Sequence, residues 1–291
     1  MAINQFNNCG DGAAITGIAC NPDIGAPVKP FLTKTDFSYA TVTAANTLAT
    51  VVTGITDENV FPLPMVEEFA NNSEADTKYT SPINSVQRTV RRGKTVHEYK
   101  FIFNPSLHRR LQSFDGTTMR FYYGDTNDNL IFTSPDDTVV KGFEVYVNVD
   151  KWMDSDGSTP AFTPVTLTFT NNDEREAEVA VIEASYNVKA LNGVQPATVT
   201  VVGTPTATAT TVLITSTDTG VGISGLLPAD FIFLQDSDGA EETISSAPES
   251  STIPGQYALA GAAFETGTVN VRNVVTIGTA YYKGTAAPVT I

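Results

Sequence analysis

Histidine, cysteine and tryptophan are scarce in this 291-residue chain, which has two, two and one of them respectively. It has no His-x-x-x-His or Cys-x-x-Cys pair, no Gly-x-Ser-x-Gly elbow and no glycine-rich phosphate loop. His97 alternates with Tyr99 and Phe101 along one stretch, which favours a packed histidine over a catalytic or metal-binding one. We therefore expect no enzymatic activity and no cofactor.

Lysine and arginine are also few. The chain has 17 of them against 32 aspartates and glutamates, which gives a formal net charge of -15 and a pI of about 4.4. This balance argues against binding of a nucleic-acid backbone through bulk charge. We therefore expect no sequence-specific nucleic-acid partner.

Long apolar runs and export signals are missing as well. No run approaches the ~18 residues of a membrane span, and the first nine residues have neither the basic nor the apolar region of a signal peptide. We expect a soluble chain made in the cytoplasm with no membrane partner, in which Cys9 and Cys20 are free thiols rather than a disulfide.

One basic stretch interrupts the acidic background, and it contains Arg88, Arg91, Arg92 and Lys94. These side chains either dock an acidic partner subunit or act as strand-edge charges that deter aggregation, and the sequence favours neither. A nucleic-acid site is a weaker third interpretation, because no aromatic residues interleave cleanly with the charges. We treat the four residues, together with Trp152, as candidate subunit contacts.

The clearest periodicity runs from Thr95 to Val181, where apolar residues alternate as in half-buried strands. The predicted strands are 95–103, 117–123, 130–133, 139–149, 162–170 and 179–186. Asn104 and Pro105 predict the start of a helix, and Leu107, Leu111 and Phe114 give it one apolar stripe. The pattern indicates a β-domain carrying one short helix.

Composition divides the chain into three parts. Residues 1–35 are rich in Gly, Asn and Pro and predict an extended arm with little regular structure. Residues 36–195 form the β-domain, in which Phe37–Val42 is predicted as a strand and Ala44–Val52 as either strand or short helix. Residues 196–291 are dominated by Val, Thr, Ala, Gly and Ser, with short strands at the spacing typical of a β-sandwich.

Acidic turns supply the best metal hypothesis, which is calcium. Asp125, Asn127, Asn129 and Asp136 place oxygens at spacings found in calcium loops, but Leu130 stands where such a loop requires Gly. Two Asp-Ser-Asp-Gly sequences, at 154–157 and 236–239, lack the first and last ligands. Because Asp-Gly is a favoured turn pair, we predict turns rather than metal sites at each of these places.

The third part resembles a bacterial Ig-like domain of the kind appended to surface and virion proteins. The resemblance lies in an apolar-Ser-Gly-Leu step into a strand, a Gly-containing hairpin and a Pro-Gly-x-Tyr entry, found at Ile223–Gly239, Pro254–Leu259 and Gly267–Val271. It implies a β-sandwich and does not specify a ligand.

The second part resembles tail-tube-type proteins of tailed bacteriophages in its strand, helix and hairpin order through Phe103, Leu107–Phe114 and Met119–Tyr123. Such proteins combine two packed antiparallel sheets with one flanking helix and a subunit-bridging arm or loop, and some carry a C-terminal Ig-like domain. The resemblance implies a homo-oligomeric ring in a virion, hexameric or of related cyclic symmetry, with other virion proteins as partners. Its inner sheets would line a DNA channel, for which Glu144, Asp150 and Asp173–Glu178 are acidic candidates beside an ordinary solvated role.

Three functions follow as expectations. The leading one is a tail-tube or neck subunit that assembles through sheet edges and the 1–35 arm. A capsid auxiliary or decoration protein with an exposed Ig-like domain is a second version of the same class. A non-enzymatic adhesin or carbohydrate-binding module, with Trp152 as its contact, is the alternative from a different class, although an adhesin would normally carry an export signal.

Overall fold

The computed structural model describes residues 4–5, 24–83, 86–135, 138–176, 178–272 and 274–291. Strands account for 47% of the chain and helices for 13%, which confirms the predicted all-β class. The chain divides into two compact units, Met1–Leu191 and Asn192–Ile291. In the described ranges, no helix has the length and apolar character needed to cross a lipid bilayer.

The first unit is built on a ten-stranded sheet. Its strands are β1 (Asn4–Gln5), β2 (Pro27–Thr33), β3 (Val60–Pro62), β4 (Glu68–Asn71), β7 (Val96–Ile102), β8 (Thr118–Asp125), β9 (Asn129–Thr133), β10 (Phe143–Val149), β11 (Phe162–Phe169) and β12 (Val179–Glu183). They run in the order β1-β12-β9-β8-β10-β11-β7-β4, and β2 pairs with both β3 and β8. Every pair is antiparallel except β1 with β12. Strands β5 (Thr77–Thr80) and β6 (Gln87–Arg91) form a separate two-stranded sheet.

The alternation predicted for the central strands is confirmed. In β7, Tyr99 and Phe101 are buried and the intervening residues are not, and β10 repeats this pattern with Val145 and Val147. These side chains pack with Leu167 of β11 and with residues of β8 into one apolar core.

Four short α-helices accompany the sheet in the ranges that the structure describes. They are α1 (Val42–Ala45), α2 (Leu48–Thr56), α3 (Pro105–Leu111) and α4 (Asp173–Glu176). The helix predicted from Asn104 and Pro105 is α3, and the Asn104 side chain accepts hydrogen bonds from the backbone N–H groups of Ser106 and Leu107 at 2.9 and 3.2 Å. Residues 44–52 were predicted as either strand or short helix, and α2 shows that the helix is correct for Leu48 onward.

Two local predictions are wrong. Within the predicted arm, Pro27–Thr33 is strand β2, whose residues Phe31 and Leu32 are fully buried. A strand buried on both faces loses the alternation that identifies a strand, and its two prolines imitate a loop. The predicted strand at 37–42 is instead an irregular segment with one bridge from Tyr39 to Val140, because Thr41 caps α1. Cys9 and Cys20 lie outside the described residues.

The second unit has two sheets. The six-stranded sheet has the order β17-β18-β14-β13-β21-β20, and the four-stranded sheet has the order β16-β15-β19-β22. The strands are β13 (Val194–Thr206), β14 (Ala209–Ser216), β15 (Phe231–Gln235), β16 (Glu241–Glu242), β17 (Ile244–Ser246), β18 (Gln256–Gly261), β19 (Gly267–Val271), β20 (Val274–Ile277), β21 (Ala280–Thr285) and β22 (Ala287–Val289). Residues of both sheets, among them Val212, Tyr257 and Phe233, share one core, so the unit is a β-sandwich.

Candidate functional site

The pair β5–β6, called the ribbon below, is the most unusual surface of the first unit. In the part of the chain that the structure describes, the two strands pair only with each other, and every residue of both is exposed. A two-stranded hairpin in water is marginally stable on its own. A ribbon that stands clear of its own core is therefore expected to gain stability from something else.

The ribbon continues the hairpin that β4 and β7 begin in the large sheet. Beyond the last β4–β7 pair, the backbone N–H of Asn72 donates to Val96 O at 2.9 Å and that of Glu74 to Lys94 O at 2.8 Å. The ribbon then runs to the pair Thr80–Gln87, nine residues past Asn71. At about 3.3 Å per residue, this segment can extend by up to about 30 Å from the sheet.

The two faces of the ribbon differ in character. Tyr79 pairs across the strands with Arg88, and Val86 lies two residues before Arg88, so the face that carries Tyr79 is apolar with one cation. Val90 is the extra residue of a register irregularity between the pairs Lys78–Thr89 and Thr77–Arg91. Tyr79, Val86 and Val90 are 55%, 45% and 68% exposed. Lys78, Thr80, Gln87 and Thr89 form the opposite, polar face. This pattern is that of a half-buried strand, yet the apolar face lies in solvent.

The predicted basic contacts lie on or beside the ribbon. Arg91 forms an ion pair with Glu74 at 2.9 Å, and Arg92 forms one with Glu176 of α4, so these two cations hold the base of the ribbon. Arg88, closer to the turn of the ribbon, and Lys94, just after Arg92, are both exposed. Residues 77–94 contain five of the chain's 17 basic residues and no acidic one. The rest of the chain therefore has 12 basic residues and all 32 acidic ones.

Trp152 lies away from these cations, at the opposite end of β7. Its ring stacks on Phe103 with centroids 4.7 Å apart and an interplanar angle of 24°, and it is 45% exposed. Met153 exchanges two backbone hydrogen bonds with Phe162, which in turn pairs with Ile102. Met153 and Ile102 are also about half exposed. We call Ile102, Phe103, Trp152 and Met153 the Trp152 patch.

The calcium candidates form a closed turn. Asp125 is buried, and its two carboxylate oxygens accept four hydrogen bonds, from the backbone N–H groups of Gly25, Asn127 and Asn129 and from the Asn129 side-chain amide, at 2.7–2.9 Å. Its lone pairs are thus directed at protein donors. Asp136 lies outside the described residues.

The other acidic turns are held in the same way. Asp156 accepts hydrogen bonds from the backbone N–H groups of Ser158 and Thr159, and these lower its pKa to about 2. Asp238 accepts one from the backbone N–H of Ala240 at 2.8 Å. Within the described ranges, no group of three or more His, Cys, Asp or Glu side chains could hold a metal ion.

The acidic segment 173–178 contains one buried residue, Glu174. Its Oε1 lies 2.8 Å from the Arg120 guanidinium, and its Oε2 accepts the backbone N–H of Glu144 at 2.6 Å. Glu174 therefore stabilises the fold and cannot face a channel. The expectation that residues 173–178 line a channel is wrong for this residue. Glu144 and Asp150 remain on the surface.

His97 is buried, as its strand position predicted. Arg175 donates from Nη1 to His97 Nε2 at 2.9 Å, so the other ring nitrogen, Nδ1, carries the proton and donates to the Tyr99 hydroxyl at 3.1 Å. Burial, with the Arg175 charge as a second cause, lowers the His97 pKa to about 3. The imidazole is neutral near pH 7 and serves packing.

Sequence reasoning found the cations of this region but missed the apolar side chains between them. The alternation Val86, Arg88, Val90 was the available signal, and the turn at 81–83 hid it by separating Tyr79 from these residues. The structure thus defines an all-β chain of two compact units with a projecting amphipathic ribbon. No family model matches the chain, and no curated protein is significantly similar to it.

Proposed function

We propose that this chain is a self-assembling structural subunit of a tailed-bacteriophage virion, of the ring-forming tail-tube or neck type. The ribbon is the observation that carries the proposal. Its apolar face is exposed in a single copy, and exposed edges and apolar patches of this kind mark contacts between chains. The resemblance of the first unit to tail-tube proteins supports the virion assignment.

The charge distribution supports self-assembly in particular. The segment 77–94 carries only positive charge and the rest of the chain is strongly acidic, so a second copy offers the ribbon a surface of opposite sign. An acidic subunit would also let DNA pass without gripping its phosphates.

The test is the oligomeric state of the purified full-length chain. We expect mass photometry to give species well above the 31.0 kDa chain mass as concentration rises, and negative-stain images to give rings or tubes with a central hole. A chain that stays monomeric at every concentration would overturn the proposal. Large particles without a central hole would instead favour the capsid auxiliary alternative.

A matched pair of variants assigns the assembly to the ribbon. Tyr79→Asp places a charge on the apolar face, and Thr80→Asp places the same charge one residue away on the polar face. We expect Tyr79→Asp to abolish assembly and Thr80→Asp to retain it, with both variants keeping the thermal stability of the wild type. Equal assembly by the two variants would contradict a role for the apolar face.

A second candidate function rests on Trp152. A half-exposed tryptophan stacked on Phe103 offers a flat face of the type that sugar rings pack against, which favours a carbohydrate-binding module. Trp152 is the single tryptophan, so intrinsic fluorescence reports on this patch alone. A saturable fluorescence change on titration with a glycan panel would support this candidate, and no change with any glycan would remove it.

A further inference from the structure

We propose that the ribbon of one copy docks on the Trp152 patch of the next copy, so that copies join head to tail. This inference rests on the proposed self-assembly and names the two surfaces that meet.

The first argument is position. The ribbon leaves the sheet at the Val96 end of β7, and the patch lies at the Ile102 end, about 20 Å away at 3.3 Å per residue. The ribbon extends the β4–β7 hairpin away from the sheet and so away from its own patch. A contact between the two surfaces is therefore one between different copies.

The second argument is chemical match. The ribbon face presents Tyr79 and Arg88, and the patch presents Trp152 over Phe103. Tyrosine, arginine and tryptophan are the residues most enriched among the energetic centres of protein interfaces. An Arg88 guanidinium placed over the Trp152 ring would also gain a cation–π interaction.

The third argument is charge. The loop 150–158 beside Trp152 is exposed throughout and carries Asp150, Asp154 and Asp156 against the single Lys151. Lys151, together with Arg109 and Arg110 of the neighbouring α3, equals these three carboxylates in number. Apolar burial is therefore expected to supply the stability of the contact, and the acidity of the second copy as a whole, rather than this loop, to guide the approach.

A contact of this kind is heterologous, because the two copies use different surfaces. After each docking event one ribbon and one patch remain unoccupied at the two ends. The chain therefore closes into a ring when the rotation between copies permits it and otherwise grows into a filament.

Mixing two blocked variants tests this arrangement. Tyr79→Asp has a blocked ribbon and an intact patch, and Trp152→Ala has the reverse, while Lys151→Ala is the control for the patch. We expect each blocked variant to be monomeric alone and an equimolar mixture to give a 1:1 dimer that does not grow. Assembly by Trp152→Ala at the wild-type concentration, or a mixture that stays monomeric, would overturn the inference.

Cross-linking of the wild type gives a second readout that needs no substitution. A carbodiimide joins amines directly to carboxylates, so mixed isotope-labelled and unlabelled copies should give intermolecular links from Lys78 or Lys94 to Asp154 or Asp156. Assembly should also shift the Trp152 fluorescence to the blue. Assembled wild type without these links would overturn the docking surfaces and leave the proposed function standing, whereas a wild type that never assembles would overturn both.

Discussion

His97 shows how a single buried side chain can set the acid sensitivity of the first unit. Its pKa is lowered from an ordinary 6.5 to about 3 by burial first and by Arg175 second, so the unfolded chain binds a proton between these values and the folded chain does not. The stability it contributes is complete above pH 6.5 and is lost as the pH falls toward 3.

This sign gives a measurable prediction. The free energy of unfolding should fall by up to about 1.4 kcal/mol per pH unit below pH 6.5, in addition to the change caused by the carboxylates. Urea unfolding of the wild type and of His97→Gln at pH 7, 6 and 5 isolates this part, because glutamine keeps an acceptor for Arg175 and does not titrate. Parallel pH profiles for the two proteins would contradict the assignment.

Glu174 and Glu176 form a natural comparison on one helix. Glu174 is buried against Arg120, whereas Glu176 makes an exposed ion pair with Arg92. Glu174→Gln removes the buried carboxylate 2.8 Å from Arg120, which then keeps only the longer ion pair with Glu144 at 3.6 Å, and should lower the free energy of unfolding by about 3 kcal/mol. Glu176→Gln should cost less than about 1 kcal/mol. Denaturant titration of both variants checks this, and similar losses would be inconsistent with the burial of Glu174.

The loop from β8 to β9 makes a prediction at the scale of one element. Because four donors already occupy both Asp125 oxygens, millimolar calcium should leave the melting temperature of the wild type unchanged. Asp125→Ala should lower that temperature, because the backbone donors of Asn127 and Asn129, the second of them buried, lose their acceptor. A calcium-dependent rise in the wild type that Asp125→Ala abolishes would restore the metal hypothesis.

Elements differ in how far the sequence predicts them. Strands β7 and β10 and the second half of β11 have one face in the core and a more exposed opposite face, so alternation identified them, and the Asn104-Pro105 pair identified α3. Strand β2 was not predicted because burial on both faces removes the alternation. The ribbon was not predicted for a different reason. Apolar and polar residues alternate in its sequence, but no local pattern indicates whether an apolar face packs on its own core or on another chain.

The candidate site was accessible to the sequence only in part. A run of cations without any carboxylate identified the basic segment around Arg88, and the scarcity of tryptophan drew notice to Trp152. Their placement at opposite ends of β7 depends on the pairing of β4, β7 and β11, which are distant in sequence. Long-range pairing of this kind is not contained in a local window.

At the scale of the whole chain, each unit has its own core. The buried residues of the second unit, from Ala197 to Val289, form one cluster of their own. We expect a fragment of residues 192–291 to fold alone, with a β-type circular dichroism spectrum and a cooperative unfolding transition. The full chain should show that same transition beside a second one, and an unfolded fragment would contradict the independence of the two cores.

The projecting ribbon also affects rates, namely those of amide hydrogen exchange and of assembly. Segments with few buried contacts open far more often than the core, so amide hydrogens of β5 and β6 should exchange with solvent orders of magnitude faster than those of β7 in a free monomer. In the proposed assembly, docking would order the ribbon, and the entropy lost there would oppose the first contacts. Under that proposal, a free subunit would not polymerise until its concentration, or a preformed end, made that ordering favourable.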